Sequence, residues 1–159
     1  MPAVPNFARG DVNAVQAPFA TGTTFQLGEV LALVSNLVVP ASAFTWTTDL
    51  ATTRTNFVAA MIGVSLQQHI TSTNNTVYGN GIPNVVSVGT TGEYWMAISG
   101  TAPGWGDLVG LSKNPSSNAL LPNTVEKETA AARAIGTVIE LPSSTLALVR
   151  IKQVLVPPA

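Results

Sequence analysis

Cysteine is absent from this chain of 159 residues, and charge is scarce. Without cysteine, disulfide frameworks, thiolate catalysis and cysteine-ligated zinc are excluded. Charged residues make up 9% of the chain, against roughly 25% in a typical soluble domain. Hydrophobic residues make up 46%, which is enough for a core. So poorly charged a chain indicates a surface covered by partners, or one that Ser, Thr and Asn keep hydrated.

The few basic residues do not form a patch. Seven Lys and Arg are scattered along the chain, and the formal net charge is -1. Because nucleic-acid binding needs clustered positive charge, we expect no nucleic-acid partner. The longest apolar run, residues 30–39, is too short for a membrane span of about 20 residues. The first residues lack a basic and then apolar signal pattern, so we expect synthesis in a cytoplasm and no membrane partner.

The sequence offers no constellation for catalysis or metal binding. His69 is the single histidine, and no second ligand stands at a metal-binding spacing from it. Glu29 and Asp107 each follow a glycine, which is typical of turns, and residues 126–128 read as a solvated face. We therefore predict no catalytic residue, no cofactor and no metal, and a protein that is not an enzyme.

Short apolar runs separated by turn residues dominate the pattern. Runs such as 30–34 and 146–156 are rich in β-branched residues and are bounded by Gly, Pro, Asn or Ser. A helical turn is expected within 50–56, strands within 58–67, and a loop before a strand in 124–134. The pattern predicts an all-β fold, a short-stranded sandwich or barrel.

Proline marks the first 20 residues as different from the rest. Pro2, Pro5 and Pro18 disfavour helix and central strands there, and Phe7 and Phe19 lie between them. We predict an extended N-terminal arm over 1–20 and a single β domain over 21–159. The arm is either disordered or ordered on a neighbouring subunit.

Two stretches of the second half repeat the pattern of the first. Residues 28–33 match residues 106–111, beginning with Gly-Glu and Gly-Asp, and residues 60–64 match residues 133–137 around an Ile-Gly step. The order is kept and the spacing nearly so. Half-repeats of about 21–90 and 91–159 are one explanation, and chance similarity of short apolar blocks is the other.

Three tryptophans allow three uses. Trp46, Trp95 and Trp105 suit core anchoring, partner binding or stacking against a sugar. Trp105 stands between two glycines after Pro103, so we expect it to be the most exposed of the three.

The second half also resembles a known family. The carrying motifs are residues 106–111, then 132–140 with Ala-Arg-Ala-Ile-Gly-Thr-Val-Ile-Glu, then 148–151 with Leu-Val-Arg-Ile. Over roughly residues 85–155 they resemble the capsid decoration (cement) proteins of tailed phages. The resemblance implies a β-rich homotrimer on the virion surface that joins neighbouring major capsid proteins and has no active site. Its expected contacts are the arm and the exposed tryptophan: Pro5, Phe7, Arg9, Phe19 and Trp105.

Two other functions remain open at this point. One is another phage assembly component, such as a shell, tail or fibre subunit. The other is a carbohydrate-binding module on a virion surface, for which the tryptophans would supply the stacking platform.

Overall fold

The chain folds into two β-sheets that pack against each other. The computed structural model describes the backbone of residues 7–9 and all of residues 12–68 and 84–152. In these ranges the strands are β1 (Phe7–Arg9), β2 (Ala14–Pro18), β3 (Val30–Val34), β4 (Leu37–Pro40), β5 (Met61–Ser65), β6 (Val85–Gly89), β7 (Glu93–Ile98), β8 (Leu108–Lys113), β9 (Leu120–Lys127), β10 (Gly136–Ser143) and β11 (Leu146–Ile151), and the helix is α1 (Leu50–Ala60). The predicted all-β fold is confirmed.

The second sheet closes on itself. Its order is β1-β7-β11-β10-β8-β9, and β9 also pairs with β7 in parallel, which makes a closed five-stranded barrel of β7 to β11. The first sheet has the order β2-β6-β5-β3-β4. Its two outer strands approach each other through a parallel bridge between Phe19 and Val38.

The two sheets have the same topology. We call β2 to β6 the first half and β7 to β11 the second half. In each half the first strand pairs with the fifth, the fifth with the fourth, the fourth with the second and the second with the third. In each half, too, a parallel contact links the first and third strands, and a helical connector precedes the fourth.

The match extends to single positions. In the first half Val64 lies opposite Val30 and Gly89, and in the second half Thr137 lies opposite Leu108 and Arg150. The closing parallel pairs, Phe19–Val38 and Ile98–Val125, also match. The residues that the sequence comparison aligned therefore occupy corresponding places in the two sheets.

One glycine in each half explains the repeated Ile-Gly step. A Cβ atom on Gly63 would lie 2.1 Å from the carbonyl oxygen of Gly89, and one on Gly136 would lie 2.3 Å from that of Arg150. Real Cβ atoms do not approach so closely, so only glycine lets the neighbouring strand pack at this distance.

The core has two parts. Apolar side chains fill the interior of the first sheet: Ala17, Phe19, Phe25, Leu31, Val38, Ile62, Val86 and Val88. A larger cluster joins the interior of the β7–β11 barrel to the outer face of β3 and β5 and to α1. Phe57 of α1 is 1% exposed within this cluster. Burying this much apolar surface between the halves holds them together.

Three expectations need comparison with these elements. Residues 14–18, which we assigned to the arm, form β2 and pair with β6 along their whole length. Helix α1 runs to Ala60, so residues 58–60 are helical and not part of a strand. Within 124–134, the chain is strand as far as Lys127 and then forms a 3₁₀ turn at Ala131–Arg133. The Asn80-Gly81 step, which is typical of a tight turn, lies outside the described residues.

Candidate interaction surfaces

A buried ionic cluster joins the two halves. Arg54 of α1 is 93% buried at its side chain and reaches β8 and β9 in the second half. Its Nε donates to the carbonyl oxygen of Leu111 at 2.7 Å, its Nη1 donates to Glu128 at 3.0 Å, and its Nη2 donates to Glu126. Each of the three guanidinium nitrogens thus donates a hydrogen bond inside the protein.

Glu128 is the most heavily bonded acid of the cluster. Its Oε1 accepts the backbone N–H groups of Thr129 and Ala130 at 2.8 and 3.1 Å, and Arg133 lies 3.0 Å away. Burial by itself would raise the pKa of Glu128. These N–H groups and the charges of Arg133 and Arg54 outweigh the burial, and the pKa is lowered.

This cluster corrects the solvated face expected for residues 126–128. Only Lys127 points outward, whereas Glu128 is 6% exposed and Glu126 is half-buried. The sequence contained no local signal for this arrangement, because the partner, Arg54, lies 72 residues away from Glu126 along the chain.

Two further ion pairs involve charged side chains outside this cluster. Arg150 donates to Glu93 at 2.6 Å, and Lys127 lies 2.9 Å from Asp107. At least four of the seven basic and four of the eight acidic residues are therefore held in internal ion pairs. Of the paired basic side chains, Arg150 and Lys127 remain 63% and 43% exposed.

Trp105 is the most exposed large apolar side chain of the described residues, at 79%. It stands on a tight turn in which the Asp107 carboxylate accepts the N–H of Gly104 at 2.7 Å. This hydrogen bond, and then Lys127, lowers the pKa of Asp107. Gly106 takes φ +79°, which other residues rarely adopt. The turn therefore fixes the backbone of Trp105, and its indole is exposed, as expected. Asp107 is a turn residue, as its position after a glycine indicated.

The first half has the same turn with a smaller tip. Leu27, 39% exposed, stands before Gly28 as Trp105 stands before Gly106. Gly28 donates to Ser65 at 2.8 Å, and Gly106 donates to the corresponding Val138 at 3.0 Å. Two structurally matched apolar tips therefore lie one on each half. The pKa of the neighbouring Glu29 is raised, because burial disfavours its charge.

The other predicted interface residues are placed as follows. Pro5 lies outside the described residues. The backbone of Phe7 and Arg9 forms β1, which pairs with Tyr94 and Glu93 of β7. Phe19 is 5% exposed and packs edge-on against Phe25 at 5.1 Å, so its ring is a core element and not a surface contact.

The remaining tryptophans are less available. Trp46 is half-buried against the larger core cluster, with the Lys113 ammonium group 5.2 Å from its ring centre. Trp95 is half-buried on β7. Trp105 is thus the one tryptophan of the chain whose ring is mostly in solvent.

Two open grooves lie on strands that do not correspond between the halves: β8, β10 and β11 in the second half, and β4 with residues 21–24 in the first. The second-half groove has a volume of about 300 Å³, with Leu108, Thr137 and Ile151 in its lining and Arg150 and Lys152 beside them. The first-half groove has a volume of about 430 Å³ and is lined by residues that include Thr21, Thr23, Val39, Pro40 and Ser42.

Across residues 12–68 and 84–152, no three His, Cys, Asp or Glu side chains come together to form a metal site. Every buried side-chain nitrogen or oxygen in these ranges has a hydrogen-bond partner. His69 lies outside them. No helix among them is long and apolar enough to cross a bilayer.

No protein-family model matches the chain, and no curated protein sequence matches it.

Proposed function

We propose that the chain is a cement protein that binds the outer surface of a tailed-phage capsid and joins neighbouring major capsid subunits, acting as a homotrimer on the virion. The observation that carries the proposal is the turn that presents Trp105. Its indole is 79% exposed, and its backbone is fixed by Asp107 and Gly106. A large aromatic ring on a preorganised backbone is typical of the residues that contribute most of the affinity at protein interfaces.

The distribution of charge supports the same proposal. Charged residues are few, and Arg54, Arg133 and Arg150 pair with acids of the same chain, which lowers the cost of removing these charges from water on docking. A protein that binds an expanded shell and not its precursor stabilises the expanded form by mass action. Several subunits that bind together reach high avidity even when each contact is weak.

Co-sedimentation with heads tests the proposal. The probe is the expanded head of the phage that encodes the chain, prepared without this protein, with the unexpanded precursor head as comparison. We expect the wild type to sediment with expanded heads and to raise their melting temperature. Trp105→Ala should weaken binding at least roughly 30-fold, as a central aromatic anchor does. Trp95→Phe, on β7, is the matched control and should bind like the wild type. If the wild-type protein does not sediment with expanded heads, the proposal is refuted.

A carbohydrate-binding module is the second candidate, since the exposed ring of Trp105 is also what a sugar-stacking site needs. The two candidates differ in a simple measurement. If oligosaccharides quench the fluorescence of Trp105 and heads do not bind, the sugar-binding reading replaces the capsid-binding one.

A further inference from the structure

The second-half groove lies on a surface that is covered in the first half. Leu108 and Thr137 of the groove correspond to Val30 and Val64, as their pairing shows. Both valines are 0% exposed and belong to the core cluster that joins the two halves. Helix α1 packs on β3 there, and the second half has only the 3₁₀ turn Ala131–Arg133 in its place. A surface that the first half buries is therefore open in the second.

The first-half groove shows the reverse relation, since it is covered in the second half and open in the first. Its Val39 lies opposite Ala32, and the corresponding residue, Glu126, lies opposite Gly110. Glu126 accepts a hydrogen bond from Arg54 of the first half, and the Arg54 side chain packs over Gly110. Ala32, the counterpart of Gly110, is 0% exposed, but Val39, the counterpart of Glu126, lines the open groove. The position that Arg54 contacts in the second half is therefore open in the first half at Val39.

The contact between the halves thus involves two different surfaces, one around Val30 and Val64 of the first half and one around Glu126 of the second. The counterpart of the first surface is open in the second half, and the Val39 position is open in the first half. We propose that a second copy of this chain fills them: the second-half groove of one subunit docks on the first-half groove of the next. The proposal rests on the homo-oligomer in the proposed function, and it requires no capsid. Because the two surfaces differ, the contact is head-to-tail, and repetition closes a ring if the rotation allows.

The chemistry of the two grooves is compatible with this contact. The second-half groove brings apolar Leu108 and Ile151 together with the cationic side chains of Arg150 and Lys152. Arg150 pairs with Glu93 but keeps 63% of its side chain exposed, so it retains N–H groups that can donate to a partner. The first-half groove brings apolar Val39 and Pro40 together with the hydroxyl groups of Thr21, Thr23 and Ser42, which accept hydrogen bonds from such donors.

Two variants block one groove each. Ala131 is an exposed residue in the lining of the second-half groove, and Ala131→Glu places a side chain that can reach Arg150 and Lys152 and fill the groove. Ser42 is an exposed residue of the first-half groove, and Ser42→Arg fills that one. The matched controls are Ala132→Glu, the next exposed residue of the same turn, and Ser117→Arg, on an exposed loop. All four sites are at the surface, so the variants should fold, which circular dichroism checks.

The mass in solution, measured by light scattering and analytical ultracentrifugation, tests the proposal. We expect an oligomer for the wild type and both controls, and at least roughly tenfold weaker association for each groove variant. Mixing the two groove variants should restore one intact contact and give a dimer that grows no further. A monomeric wild type overturns the proposal. So does an oligomer that both groove variants leave intact, or a mixture that stays monomeric. Since no capsid is present, these outcomes are independent of whether the chain binds heads.

Discussion

Replacing Arg54 by Met should destabilise the fold more than any other exchange of a charged residue in the described part of the chain. The side chains of Arg54, Glu126 and Glu128 are 7%, 18% and 5% exposed. The replacement leaves Glu126 with an uncompensated charge and the Leu111 carbonyl without its donor. Glu128 keeps Arg133 and two backbone N–H groups. Breaking one side of a buried ion pair costs about 3 to 5 kcal/mol, and because Glu128 stays paired we expect about 3 kcal/mol.

Urea unfolding at neutral pH, followed by tryptophan fluorescence, measures this loss. Arg54→Lys keeps the charge without the forked donor geometry, so it should lose about half as much. Adding Glu126→Gln to Arg54→Met removes the unpaired charge and should recover part of the stability, a non-additivity that a double-mutant cycle detects. Lys127→Met is the matched control, since its ion pair with Asp107 is 43% exposed on the lysine side and contributes about 0 to 1 kcal/mol. If Arg54→Met lost less than Lys127→Met, the cluster would not join the halves as we describe.

Three further predictions follow from single sites. The pKa of Glu128 in the folded state lies below its ordinary value of 4.5. Its contribution to the stability of the fold is therefore present above that pH and is lost as the pH falls further. Glu128→Gln should flatten the acid limb of a stability–pH curve, and an unchanged limb would contradict the assignment. Gly63→Ala and Gly136→Ala should each cost more than about 2 kcal/mol in urea unfolding because the new Cβ meets a carbonyl oxygen, whereas Gly106→Ala, with open space but φ +79°, should cost only about 1 kcal/mol. Phe57→Ala removes a ring that is 1% exposed and stacks edge-on with Phe44 at 5.2 Å, so it should cost about 3 to 5 kcal/mol, and a loss under 1 kcal/mol would mean that α1 does not anchor the core.

The strands and turns were predictable because their signals are local. The β-branched runs of β3, β5 and β11 lie where the sequence placed strands, and the Gly-acidic step before β8 forms the expected turn. The repeated blocks were visible as well, since the close strand approach at Gly63 and Gly136 leaves glycine as the one residue that fits. The exposure of Trp105 followed from its two glycine neighbours.

The remaining features depend on contacts between distant residues. Helix α1 contains three Thr and one Asn, which are weak helix formers, and its burial against β3 compensates for them. Its start had a local signal that the sequence analysis did not use: the Asp49 side chain accepts the N–H of Thr52 at 2.7 Å, as a helix cap does. The pairing of β2 with β6 and the meeting of Arg54 with Glu126 join segments about 70 residues apart, and no local pattern indicates them.

The parallel contact between β7 and β9 has a consequence for solubility. A sheet that ends in free strands exposes rows of N–H and C=O groups on which other chains can add, and proteins usually protect such ends with charged side chains. This chain has few charged side chains with which to protect its strand edges. Joining Ala97 and Ile98 to Thr124 and Val125 closes the barrel between β7 and β9, so these two strands present fewer unpaired backbone groups on which another chain could add.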